Sequence, residues 1–294
     1  MDAGDSSRST SKRLRRLAAD VDDDVEGRFG TAVVSLERSD PSTVVTYRGD
    51  DRFGSASVIK LLVLYRLFER IDDEPSELSR SRPIADSNEV GGCGLFHLLS
   101  DPTPTLEDLA TAMIVISDNA ATNELIDVLE IDRINAAADR LGLRNTRLRR
   151  KMMVSPESAV EDAELAAAPG INGHRYVNTT SPEDCVTLLT DVFESGSVRR
   201  ETANGMLEIL RQQKDGSLVA RYLPPATEIA HKTGSLPSVS IDAGILFVDE
   251  RPFAYAVCCD SMPNGGRAAD VVARFGKALH RELEADDRAG GTNL

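Results

Sequence analysis

The 294-residue chain predicts an α+β fold: a five-stranded antiparallel sheet with terminal helices and an inserted all-helical lobe. Three observations carry that prediction. β-Branched and apolar runs gather near the two ends, at 31–36 and 43–47, then at 228–232, 241–248 and 253–260. The long stretch between them is dominated by helical spacing. Each end of the chain also carries an amphipathic stripe. Joining the two groups of strands makes one sheet, and the helical lobe must then loop out between them. The expected organisation is a disordered N-terminus over 1–10 and a single domain over 11–294. Its α/β lobe would span about 11–52 and 214–294, and its helical lobe about 53–213.

In chain order, a helix starts at Ser11, with Leu14, Leu17, Val21 and Val25 on one stripe. The first two strands read as a hairpin joined through Asp40-Pro41. Residues 57–70 are apolar almost all round, the mark of a buried helix. Residues 72–90 are polar and hold Pro75 and Pro83, so they read as loop, and Gly91-Gly92-Cys93-Gly94 reads as a turn. Thr105 opens a helix to 116 with Asp108 as its capping partner. Helices follow at 121–129 and 131–141, and 144–180 has no clear period. Ser181-Pro182-Glu183-Asp184 is a helix start, with a serine cap, a first-turn proline and acids favoured by the helix dipole. It leads to helices at 183–194, 199–213 and 216–223. The last helix, 266–286, carries Val272, Phe275, Leu279 and Leu283 on one face.

Composition narrows the function. A net charge of −14 argues against nucleic acid and anionic membrane surfaces as partners. Only six of the 34 basic residues are lysine, and a surface so acidic suits a high-salt cytoplasm. Raising KCl from low to molar concentration should therefore raise the melting temperature, because repulsion is screened; a melting temperature that falls with KCl would remove the salt-adapted reading. No apolar run is long enough to span a membrane, and the first thirty residues lack the apolar core of a secretion signal. The expectation is a cytoplasmic monomer acting on a small molecule. Cys93, Cys185, Cys258 and Cys259 read as free thiols in apolar surroundings, with Cys258 and Cys259 on opposite faces of a strand. With four histidines, no Cys-x-x-Cys and no His-x-x-x-His, neither a metal nor another cofactor is expected.

Three short motifs carry chemistry. Ser57 and Lys60 are three apart, on one face at the start of the buried helix. Burial lowers a lysine pKa, and a neutral amine can take a serine proton. Alone, Ser-x-x-Lys occurs by chance in many helices. Ser117-Asp118-Asn119 then falls between two helices, and Lys232-Thr233-Gly234 falls in a strand. The three in this order are the set found in class A β-lactamases and penicillin-binding proteins. From about Phe29 to the last helix the chain resembles a class A serine β-lactamase, of the wider β-lactamase/transpeptidase fold.

The resemblance implies an acyl-serine mechanism on a β-lactam or related acyl substrate, in a cleft between the lobes. Ser57 would be the nucleophile, Lys60 the base or its orienting partner, and Ser117 the shuttle to the leaving nitrogen. Asn119 would offer its amide to the substrate, while Asp118 caps the following helix. Lys232 and Thr233 would bind a substrate carboxylate, and Gly234 would let the strand approach the ligand. The backbone N–H groups of Ser57 and Ser235 would form the oxyanion hole. His231 is expected on the other strand face from Lys232, and His97 reads as structural. Two departures stand out. Counting from Thr146, the place of the family's deacylating glutamate falls near Met152, and none of Glu157, Glu161 or Glu164 has an asparagine four residues on. No arginine lies between Thr233 and Arg251 to assist Lys232. A D,D-peptidase or esterase with the same acyl-serine, or a slowly deacylating binding protein, are the other readings.

Overall fold

The computed structural model describes residues 3–37, 43–153 and 177–290. Helix α1 (Ala3–Asp24) leads into β1 (Arg28–Ser35) and β2 (Thr43–Tyr47). The helical insert contains α2 (Lys60–Ile71), α3 (Leu106–Val115), α4 (Asn119–Leu129), α5 (Ile131–Arg140), α6 (Pro182–Glu194) and α7 (Arg200–Arg211). Strands β5 (Ile229–Leu236), β6 (Val239–Val248) and β7 (Arg251–Asp260) precede the last helix, α8 (Gly265–Gly290). The sheet is five-stranded and antiparallel in the order β2-β1-β7-β6-β5, so the expected architecture is the one found. The first pair of strands meets the last three through β1 and β7, whose register places Gly30 opposite Cys258.

Each face of the sheet has its own core. On one side α1 and α8 cover it, with Leu14, Phe29, Val272, Phe275 and Leu279 buried together. On the other side lies the helical insert, built around α2. Alternation along β7 puts Cys258 in the second core and Cys259 in the first. Helix α2 buries Leu61, Leu62, Val63, Leu64, Leu67 and Phe68, each contributing about 1.5–3 kcal/mol by leaving water. That burial makes α2 a rigid pillar for the residues at its start. Thr105 and Asp108 form the expected reciprocal cap, and Ser181 caps α6 by accepting from the Asp184 N–H.

Four expectations need correction. Helix α1 begins at Ala3, so residues expected to be disordered are helical; Thr10 is buried and its hydroxyl donates to Asp286 on α8 at 3.0 Å. A tertiary anchor of that kind overrides polar composition. The helix expected at 216–223 shrinks to a 3₁₀ turn, Val219–Tyr222. Asp215 explains the late start, because its carboxylate captures the Ser217 N–H at 3.0 Å, a side-chain turn that competes with helix. Cys93 is exposed rather than packed among apolar groups. Finally, the two-residue strands β3 (Phe53–Gly54) and β4 (Thr179–Thr180) pair into a second small sheet too short to leave a sequence pattern. No helix among the described residues is long and apolar enough to cross a membrane.

Candidate active site

The site begins where β3 delivers the chain to α2. Ala56, at a φ of 43°, turns it into a 3₁₀ turn, Ala56–Ile59, that runs straight into α2. In a 3₁₀ turn, residues three apart eclipse one another, and the Lys60 N–H bonds Ser57 O, so Lys60 lies on the same face as Ser57. Ser57 is half-buried and Lys60 is wholly buried. Lys60 Nζ donates to Ser117 O at 2.7 Å, Ser117 Oγ at 3.0 Å and Asn119 Oδ1 at 2.9 Å. None of these three bonds goes to Ser57. None goes to a carboxylate either. Burial first, and the nearby Lys232 charge second, hold the Lys60 amine well below the ordinary lysine range.

The Ser117-Asp118-Asn119 turn is held by its own side chains. Ser117 sits at a φ of 57°, a left-handed conformation costing about 1–3 kcal/mol in a non-glycine residue. Two backbone bonds support it: Asp118 N–H to Ala112 O at 3.0 Å and Asn119 N–H to Cys93 O at 3.1 Å. Asp118 caps α4 as expected, accepting the Ala121 N–H at 2.9 Å. Its other oxygen accepts the N–H groups of Leu95 and Phe96, at 2.6 and 3.0 Å, and so ties the glycine-rich turn to the motif. Gly94, at a φ of 111°, lies against that carboxyl, where a Cβ would come within 2.3 Å. Asn119 has partners on two sides. Besides accepting from Lys60, it donates through Nδ2 to Gly91 O at 3.0 Å and is 6% exposed. Its amide is engaged inside the protein, and one N–H is left for a substrate.

Strand β5 forms the opposite wall. Lys232 is wholly buried and donates to Thr233 O at 2.8 Å. Burial brings its pKa down to about 8 against the opposing pull of Asp215 and Asp242. Thr233 Oγ1 donates to Asp215 Oδ2 at 2.9 Å. A Cβ on Gly234 would stand 2.8 Å from Ser57 N and 3.0 Å from Val58 N. This glycine therefore admits the backbone of the serine turn, and it locks β5 against the start of α2. Ser235 follows, exposed near the end of the strand. His231 points away, as alternation requires: its Nδ1 lies 2.9 Å from Asp242 Oδ1, which also accepts from Tyr255 OH at 2.8 Å.

Several of these residues carry no motif. Asn123, one turn after Asn119 on α4, clamps Met152 from both sides. Its Oδ1 accepts the Met152 N–H at 2.7 Å and its Nδ2 donates to Met152 O at 3.1 Å. The asparagine spacing on α4 was the available signal. Met152 is 9% exposed and its side chain packs into the core. Glu157, Glu161 and Glu164 lie outside the described residues. Asp215 and the His231–Asp242–Tyr255 group become visible only through the sheet. A cavity of about 510 Å³, lined by Phe96, Pro104, Thr111 and Ile116 among others, includes none of the motif side chains. Among the described residues no group of three His, Cys, Asp or Glu is placed to hold a metal ion.

The sheet order, the terminal helices and the helical insert define the β-lactamase/transpeptidase fold, and the serine–lysine turn lies where its sheet and helices meet. The chain belongs to the β-lactamase enzyme family, whose model matches residues 10–283. It is 27% identical over 248 residues to the β-lactamase AER-1 of Aeromonas hydrophila, covering 82% of this chain and 77% of that protein. It is 29% identical over 222 residues to the β-lactamase Toho-1 of Escherichia coli, covering 71% and 67%. The crystal structure of a β-lactamase from Sphaerobacter thermophilus is similar at a TM-score of 0.76 and 25% identity, covering 94% of this chain and 97% of that one. A PBP-A mutant, solved as its acyl-enzyme complex with penicillin G, has the same fold at a TM-score of 0.79 and 21% identity, covering 95% and 97%.

Proposed function

We propose that the protein is a serine hydrolase that opens β-lactam rings through an acyl-Ser57 intermediate. The observation that carries this reading is the Lys60 amine: wholly buried, held well below its ordinary pKa, and bonded to Ser117 one turn beyond Ser57. A neutral amine has two protons and a lone pair, so in that state Lys60 keeps two of its three donated bonds and its lone pair can accept where an ammonium only donates. Lys60 takes the Ser57 proton as Oγ attacks the lactam carbonyl. The developing oxyanion is met by the N–H groups of Ser57 and Ser235, across the close approach at Gly234. The C–N bond then breaks, and the proton passes from Lys60 through the Ser117 hydroxyl to the leaving nitrogen. Asn119 orients Lys60 and offers its remaining N–H to the substrate. Lys232 and Thr233 form the polar end of the cleft. A monomer suffices, since every group in this scheme comes from one chain. The buried thiols of Cys185, Cys258 and Cys259 fit the reducing cytoplasm.

A second reading, a D,D-peptidase or esterase with the same acyl-serine, is favoured by Met152. Where a β-lactamase of this class is expected to carry the carboxylate that activates water, this chain buries a thioether. Turnover of a chromogenic cephalosporin, an acyl-D-Ala-D-Ala peptide and a p-nitrophenyl ester separates the readings. The main proposal expects the cephalosporin to be hydrolysed. Hydrolysis of the peptide or ester alone would replace it with the second reading, and an adduct with no turnover of any of the three would make the protein a β-lactam-binding protein.

A further inference from the structure

We infer that Asp215 makes this site select acyl substrates that carry no carboxylate where they meet Lys232 and Thr233, such as an uncharged ester or amide. The inference rests on the acyl-Ser57 reading and adds the substrate class. Its first ground is the Thr233 hydroxyl. It has one proton, and that proton goes to Asp215 Oδ2 at 2.9 Å. A carboxylate arriving at Thr233 must displace one already there.

The second ground is that Asp215 is fixed in place. Its Oδ1 accepts the Ser217 N–H at 3.0 Å, and its own N–H donates to Gln213 Oε1 at 3.0 Å. The flanking backbone is pinned on both sides, by Lys214 N–H to Val115 O at 3.1 Å and by Val219 N–H to Asp242 Oδ2 at 3.0 Å. Asp215 is exposed, but its carboxylate cannot swing away without breaking its bonds to the Ser217 N–H and the Thr233 hydroxyl.

Charge balance is the third ground. Lys232 already faces the fields of Asp215 and Asp242, and it spends a hydrogen bond on Thr233 O. No arginine occurs between Thr233 and Arg251, so β6 adds no second cation. The cation that would attract a substrate carboxylate is thus already matched by resident acids. The attraction of Lys232 for an incoming carboxylate is thus offset by repulsion from Asp215, while an uncharged group meets neither term.

The test uses a matched pair, benzylpenicillin and its methyl ester, which differ by that one charge. Intact mass against time gives the rate constant for Ser57 acylation by each. The parent should be acylated faster by the ester. Asp215→Asn removes the charge, keeps one oxygen for the Ser217 N–H and turns an amide N–H toward Thr233 Oγ1, which frees the Thr233 proton, and should raise the acid-to-ester ratio roughly tenfold. A ratio that is unchanged or falls would overturn the inference and leave Asp215 as a tether for the segment. So would a parent that prefers the acid, a result that does not depend on the variant folding. A Ser57→Ala control separates the two claims, because an adduct that survives it contradicts the acyl-Ser57 reading rather than the role of Asp215.

Discussion

Lys60→Ala slows acylation of Ser57 by roughly 10²–10⁴, the range for losing a positioned proton-transfer group. Lys232→Ala weakens recognition instead, and the two variants therefore fail differently. The distinction follows from their partners. Lys60 Nζ touches Ser117 Oγ at 3.0 Å and sits one turn from the nucleophile, so its loss strikes the chemical step for every substrate. Lys232 is tied to Thr233 O at the other wall, so its loss appears mainly in KM for anionic substrates. The pH profiles divide in the same way. Lys60 acts as the neutral base, so acylation falls as pH drops through its lowered pKa. Lys232 binds an anion only when protonated, so KM for an anionic substrate rises as pH climbs through about 8. Equal losses on charged and neutral substrates in both variants would contradict this division.

Deacylation is expected to limit turnover, with a stoichiometric burst before a slow steady state. The cause is local. Met152 stands at the expected place of the deacylating carboxylate, its backbone clamped by Asn123 and its side chain in the core. Among the described residues no carboxylate hydrogen-bonds Lys60. Two bases are then open to the water that attacks the ester: Lys60, once its proton has gone to the leaving nitrogen, and one of Glu157, Glu161 or Glu164, which lie outside the described residues; the first is the expected route. Stopped-flow kinetics on the parent and on Glu157→Gln, Glu161→Gln and Glu164→Gln decides the matter. A burst in all four proteins is the expected result. A burst created by one substitution, absent from the parent, would assign the base to that glutamate. Fast, burst-free turnover in all four would show both routes to be wrong.

The parts of the site legible from sequence are those whose local pattern and tertiary role coincide. Helix α2 is visible because a helix with no polar face has to be buried, and Lys60 goes inside with it. Asp118 reads as a cap because capping is a contact between residues three apart. Lys232 and His231 take opposite faces because strands alternate. The rest depends on contacts distant in sequence. Asp215 lies seventeen residues before Lys232, in a segment delivered to Thr233 through Asp242 on β6, and nothing local marks it. Gly234 is a glycine for the sake of Ser57 N, a neighbour in space only. The engagement of Asn119 by both Lys60 and Gly91 likewise needs three chain segments to meet.

In the proposed mechanism one hydroxyl, Ser57 Oγ, receives the acyl group. Intact mass after exposure to a penicillin, followed by peptide mapping, tests it most directly. A single adduct is expected, mapped to the peptide containing Ser57 and absent from Ser57→Ala. An adduct retained in Ser57→Ala would contradict it.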